Sequence, residues 1–298
     1  MIKKLLLIIT LKSLLVSQST FTGLKSWTNS NTIGLSGGGY LIPYQNEFRN
    51  AAMLAQANRL FQLNLIKYPA DINAQSIIVN GIYKEHHLGF SIRHINYGIF
   101  ESRTTDNVIT GNFSASDTHI QMGYAKYLYK NKLIVGFNSG LFLSQIENSN
   151  ASAITISPSL LLKADKFVAA LTLENYGKVI DSYGNSNESM HGSIVFSISR
   201  YLENYPIQIE YDKITYYGLN NTSHHLSALY KTKNNINLKG GISSNRSDRI
   251  NSNQLSKDIF NDIGIGIGYE FDNLTLDFNT YSYSNSNFIY GIAIASIF

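Results

Sequence analysis

Two pairs of adjacent histidines, His86–His87 and His224–His225, and a scatter of carboxylates are the residues of this chain whose types could do chemistry. Imidazole nitrogens ligate metals or move protons near neutral pH, and paired carboxylates act as acid and base in hydrolysis. The spacing argues against both. Each His pair lies in a stretch of alternating polarity, where adjacent residues point to opposite faces of a strand. Neither pair can close on one metal ion, and both read as rim residues at strand ends. Glu174, Glu210, Asp212, Glu270 and Asp277 fall on the polar faces of their segments, as do Arg93, Lys163, Lys231 and Lys239. Mixed signs suit a solvated interior with internal ion pairs. "LSGGGY" (Leu35–Tyr40) lacks the Lys and Ser/Thr that complete a phosphate loop, and it reads as a flexible turn. No catalytic, cofactor-binding or metal-binding residue is assigned, so no enzyme activity and no cofactor are expected.

The elements that carry these residues show what class of protein this is. Charged residues are 15% of the chain, against about 25% in soluble domains. Aromatic residues are 12%, and Tyr alone supplies 20. The net charge of +4 is dispersed, with no basic stripe for nucleic acid. The start, "MIKKLLLIITLKSLLVSQST", has Lys3 and Lys4, an apolar core from Leu5 to Val16, and then Ser17 and Ser19. It reads as a secretory signal peptide over residues 1–19, because the core is shorter than the ~20 residues a spanning helix needs. The sequence contains no Cys, so neither a lipoprotein anchor nor a disulfide framework is available. An exported chain of this kind must be held by a large core or a closed sheet.

From residue 61 onward the polarity repeats every second position. In "LIVGFNSGLFL", Leu133, Val135, Phe137, Leu141 and Leu143 oppose Gly136, Asn138 and Gly140. In "DIGIGIGYEF", Ile263, Ile265, Ile267 and Tyr269 oppose Gly264, Gly266, Gly268 and Glu270. About fourteen such segments follow one another, most of them nine to twelve residues long, as a tilted strand crossing a bilayer requires. Long polar connections near 97–115, 176–190 and 244–261 alternate with tight turns near Asn131, Ala164–Asp165, Lys233–Asn235 and Asp272. Long outer loops and short turns on the other side mark an up-and-down membrane barrel. An even strand number puts both termini on the periplasmic side. In lipid an open sheet edge leaves backbone groups unpaired, so the sheet must close. Pro158 lacks one donor and is expected at a rim or bulge. Tyr124, Tyr211, Tyr230, Tyr269 and Tyr290 are candidates for aromatic girdles.

Residues 20–58 do not share this alternation. They carry Leu41, Ile42, Phe48, Met53 and Leu54, and "NEFRNAAMLAQANRL" is expected to form a short helix. A barrel of about fourteen strands has an open lumen unless something fills it. The segment is therefore expected to form a hatch inside the barrel of residues 59–298. The closing strand "NFIYGIAIASIF" places Phe288, Tyr290, Ile292 and Ile294 outward, and Gly291, Ala293 and Ala295 toward the hatch.

Residues 61–128 carry a family resemblance. Tyr97, Gly98 and Phe100 precede a polar stretch, and Thr110, Gly111, Phe113, Ser114, Ala115, Ser116 and Asp117 then enter the next strand. "YPADI" (Tyr68 to Ile72) adds to the pattern. In these features the chain resembles the PorV/PorQ family of FadL-like outer-membrane barrels, most closely its PorQ branch. Where that family has Asn-Pro-Ala, this chain has Asn50, Ala51 and Ala52. The resemblance implies a non-enzymatic component of type IX secretion in the cell outer membrane. PorV-like barrels receive cargo, and PorQ-like barrels anchor other parts of the surface attachment machinery. Expected partners are outer-membrane lipid, secretion and attachment proteins, and the barrel-assembly machinery, which would read the terminal Phe298. The alternative is a FadL-like transport channel for hydrophobic small molecules, which needs a continuous apolar pocket. The small, polar inward face disfavours one.

Overall fold

The computed structural model describes residues 21–42, 48–57, 59–129, 132–183, 190, 192–202, 205–217, 221–245, 261–284 and 287–298. The expected signal peptide and most of the 244–261 connection lie outside these residues.

Alternation becomes antiparallel strands that, β7 and β8 apart, pair with their neighbours in sequence: β1 (Leu60–Lys67), β2 (Asn73–Tyr83), β3 (His86–Arg103), β4 (Ile109–Tyr129), β5 (Leu133–Ile146), β6 (Ser149–Lys163), β7 (Val168–Glu174), β8 (Tyr176–Asp181), β9 (Ser193–Leu202), β10 (Ile207–Tyr216), β11 (Asn221–Lys231), β12 (Ile236–Ser243), β13 (Ile263–Phe271), β14 (Leu274–Ser284) and β15 (Asn287–Ile297). β1 pairs with β15 from Leu60↔Ile297 to Lys67↔Tyr290, which closes the ring. β7 and β8 both pair with β6 and are two pieces of one crossing strand. The result is a closed antiparallel barrel of fourteen strands.

The break between β7 and β8 has a local cause. Asn175 has φ +54° and leaves the ladder, donating its N–H to Ser157 Oγ at 2.9 Å. The gap falls opposite Ser157 and Pro158, between the pairs Ile156↔Tyr176 and Ser159↔Thr172. Proline has no N–H to offer a ladder, and a bulge is where a strand tolerates it.

The two faces separate as alternation requires. Leu65, Ile77, Leu141, Ile156, Phe196, Leu226, Ile267, Phe278 and Ile292 point outward and are exposed. Gln62, Asn64, Ser76, Asn138, Thr155, Glu210, Asp212, Lys239, Asp277 and Asn279 point inward and are buried. This is the inverse of a soluble protein and suits a wall with lipid outside and polar contacts inside.

Three expectations change. The 97–115 stretch is not a long loop. β3 and β4 continue as a hairpin to Arg103 and Ile109, because Ile99↔Ser114 and Phe100↔Phe113 keep pairing beyond a bulge after Asn96. Tyr176–Asp181, expected in a loop, is strand β8. Of the expected helix over residues 46–60, the described residues form only a 3-10 turn, Ala51–Ala55, following an Asn50 cap that accepts from the Ala52 N–H. Its residues are buried and its bonds go to the wall, so tertiary contacts override helix propensity.

Candidate functional site: the filled lumen

Residues 21–42 and 48–57 run through the barrel and fill it. Phe21 packs edge-on against Phe142, with ring centroids 5.3 Å apart, beside Ala151 and Ala153. Trp27 meets Tyr281 edge-on at 4.9 Å. A single helical turn, α1 (Ser30–Gly34), follows, with Asn29 capping it by accepting from the Asn31 N–H at 2.9 Å. Phe48, Ala52, Met53 and Leu54 then pack against Ile78, Ala125, Ile134 and Leu161.

This segment has almost no regular structure, so its backbone polar groups must find partners elsewhere. The inward side chains supply them. Arg93 and Asn175 donate to the Leu24 carbonyl at 3.3 and 3.2 Å. Tyr68 and Ser76 donate to the carbonyls of Trp27 and Thr28 at 2.6 and 2.7 Å. The N–H of Ser30 donates to Asn64 Oδ1 at 3.1 Å. The N–H groups of Gly39 and Leu41 donate to Asp212 (3.0 Å) and Glu210 (2.7 Å). The Ala52 N–H donates to Ser159 Oγ at 2.8 Å, and Tyr127 donates to the Ala55 carbonyl at 2.8 Å. The lumen wall acts as a second strand partner made of side chains.

Charge fastens two points. Lys239 is fully buried between Asp277 and Asn31 Oδ1, the latter at 2.5 Å. Arg49 donates to the carbonyls of Gly37 (2.5 Å) and Gly38 (3.2 Å) and lies over the Tyr40 ring at 3.7 Å. Its Nε is 3.9 Å from Glu174, which also accepts from the Tyr40 hydroxyl at 2.9 Å. Burial pushes the Tyr40 phenol well above its ordinary value, with Arg49 opposing, so the phenol keeps the proton it donates.

Glycine makes the fit possible. A Cβ on Gly136 would run into the backbone of Ala51 and Ala52, and one on Gly241 into the Leu35 carbonyl. The Gly37–Gly39 stretch, expected as a flexible turn, is buried against the wall. Gly37 and Gly39 take φ of +84° and +91°, which other residues resist.

The sequence-flagged residues divide accordingly. Of the nine polar-face charges, Arg93, Glu210, Asp212, Lys239 and Asp277 are buried in the lumen, and Glu174 is nearly so. Lys231 and Glu270 form a half-exposed pair at 3.3 Å, and Lys163 ends β6 near the turn. The adjacent histidines do split across the wall, as strand geometry demands. His224 faces out and stacks on Tyr211, whereas His225 faces in and donates Nδ1–H to the Ser36 carbonyl at 2.8 Å. His225 is thus no rim residue but a fastener of the hatch. His119, Asn64, Asn138 and Ser159 carried no sequence expectation of a role. Their only signal was polarity on an alternating face. His119 Nδ1 accepts from Arg93 Nε at 3.1 Å, and its Nε2 lies 2.8 Å from Thr155. Among the described residues, no three of His, Cys, Asp and Glu are arranged to hold a metal ion. A cavity of about 70 Å³ remains beside Trp27, Tyr40, Arg49, Glu174, Tyr216 and His225. It is polar and has room for a few waters.

No family model and no curated protein matches the sequence. Solved structures do. A Pseudomonas aeruginosa FadL homologue aligns with TM-score 0.55 and 11% identity, over 91% of this chain and 98% of that one. A ΔS2S3 mutant of TodX, a monoaromatic hydrocarbon channel, aligns with TM-score 0.59 and 12% identity, over 92% and 99%. At such identities the likeness is one of architecture: this chain has the fold of FadL-family outer-membrane barrels.

Proposed function

We propose that this protein is a non-enzymatic outer-membrane anchor, a self-filled barrel that holds a partner protein at the cell surface. The observation that carries this reading is the β3–β4 hairpin. The outward residues His94, Asn96, Ser116 and Thr118 end the apolar band, and the hairpin continues past them to Arg103 and Ile109. Beyond the band its side chains turn apolar again: Ile99, Val108 and Ile109 are 78%, 59% and 54% exposed. Large apolar side chains left exposed along a hairpin beyond the lipid-facing band suit a protein contact. The filled, polar lumen supports the same role, since it offers no continuous apolar path. The PorV/PorQ resemblance names the finer form: a type IX secretion component that docks cargo or attachment proteins.

The test is co-purification from solubilised outer membranes. Ile99→Asp with Ile109→Asp should lower recovery of the partner about tenfold, the cost of losing one interface hot spot, with the barrel's heat-modifiable gel mobility unchanged. Equal recovery from both proteins rules out the hairpin. Deleting Phe298 is expected to leave most of the chain unassembled. In that case the heat-modifiable band should shrink in membranes while refolding in detergent still succeeds, which would identify an assembly signal.

A second reading, a channel for hydrophobic small molecules, is favoured by the shared fold with a hydrocarbon channel. It requires the hatch to leave the lumen. If liposomes gain uptake of a fatty or aromatic compound and no protein co-purifies, the anchor reading fails.

A further inference from the structure

The outer wall carries a groove that the anchor role does not use. It has a volume of about 530 Å³ and crosses β14, β15, β1, β2 and β3. Its lower lining is Leu65, Phe278 and Ile292, all outward and exposed. Its upper lining is Lys67, Gln75, His94 and Asn96, also on the outward face. Register places these residues side by side: Leu65 opposite Gln75 and Ile292, and Gln75 opposite His94. Along β1 the groove passes from Leu65 to Lys67 in one outward step, with the apolar residues of β14 and β15 on one side and the polar residues of β2 and β3 on the other. A polar side chain on a lipid-facing wall is costly unless it meets a headgroup.

We propose that this groove binds one membrane lipid with a phosphate-bearing headgroup. Its acyl chain lies on Leu65, Phe278 and Ile292, and its phosphate meets Lys67, Gln75 and His94. The donors are available in kind. His94 uses Nδ1 toward Thr118 at 2.8 Å, which turns Nε2 away from that bond. Lys67 pairs with Asp71 at 2.9 Å, but both are well exposed, and an exposed pair of this type is worth at most about 1 kcal/mol. A phosphate can replace Asp71, or join it when the headgroup also carries an amine. The occupant is a lipid and not a soluble phosphate compound, because the apolar half of the groove is continuous with the lipid-facing band.

This inference rests on the membrane-barrel reading, and the experiment separates the two. The intact protein is extracted into mild detergent and examined by native mass spectrometry, with heat-modifiable mobility checked for every variant. The wild type is expected to retain one phosphate-bearing lipid. Gln75→Leu with His94→Leu, which removes donors, should lower the retained fraction about tenfold. Leu65→Trp, which fills the groove and keeps the donors, should do the same. Ile198→Trp, outward on β9 across the barrel from β1, should not. No retained lipid, equal retention in all variants, or a lipid without phosphate overturns the proposal while leaving the barrel intact. Loss of heat-modifiability in the wild type counts against the barrel itself. The chain has no cysteine, so Asn73→Cys reports on the remaining possibility. A disulfide-linked dimer in membranes would show that a second copy covers this face, and it too overturns the proposal.

Discussion

Replacing Lys239 by methionine is expected to destabilise the barrel by about 3–5 kcal/mol, among the largest effects of any single substitution in the lumen. The side chains of Lys239 and Asp277 are 0% and 2% exposed, and they face each other from β12 and β14 across β13. Lys239→Met leaves the Asp277 carboxylate buried without its counter-charge. It also removes the donor to Asn31, which holds α1 against the wall. The double variant Lys239→Met with Asp277→Leu should recover most of the loss, because a buried pair contributes little beyond what its own desolvation takes away. Urea unfolding in detergent micelles, read as a double-mutant cycle, checks this. Additive losses in the two single variants would show that the residues do not act as a pair.

Gly136→Val should have a comparable effect by a different route. The hatch backbone at Ala51–Ala52 lies where any side chain on Gly136 would go, and forced overpacking costs about 1–3 kcal/mol or more. The wall can tolerate valine, a good strand former. The strain therefore falls on the hatch. The Ala52 N–H loses Ser159, and Phe48, Met53 and Leu54 lose their seat among Ile78, Ala125 and Ile134. Residues 48–57 should become accessible to protease in the folded barrel, and planar bilayers should show conductance absent from the wild type. Gly81→Val, where the Cβ meets nothing within 4 Å, should do neither. A Gly136→Val barrel that stays closed and protease-resistant would mean that the hatch shifts without leaving.

Much of the architecture was legible because one short-range rule governs it. A strand between lipid and a polar interior must alternate, and the "DIGIGIGYEF" and "NFIYGIAIASIF" segments do so almost without error. They became β13 and β15 with the predicted faces outward: Ile265, Ile267, Tyr290 and Ile292 are exposed, and Ala293 and Ala295 are buried. The β3–β4 extension was misread because Thr, Asn, Ser and Gly in residues 97–115 resemble a loop in composition. The apolar–polar alternation that marks the other strands is missing there, so only the backbone pairing of the two strands reveals the extension.

The hatch was legible as a segment but not in its shape. The isolated apolar residues from Leu41 to Leu54 signalled burial. Asn29 and Asn50 are local cap signals for "SNTIG" and Ala51–Ala55, but where each turn stops is set by contacts with wall side chains far away in sequence. His225 shows the same limit: alternation predicts that one of two adjacent histidines faces inward, but not that it donates to Ser36. By itself, then, the sequence determined the strand number, the faces, the closure and the presence of a filler, because each follows from matching side chains to lipid or to an interior. Only the tertiary structure decided how the lumen is filled. Glu210, Asp212, Asn64 and Lys239 bond to the hatch backbone or to Asn31 at separations of 34 to 208 residues, and no local pattern encodes which distant partner a buried polar group will find.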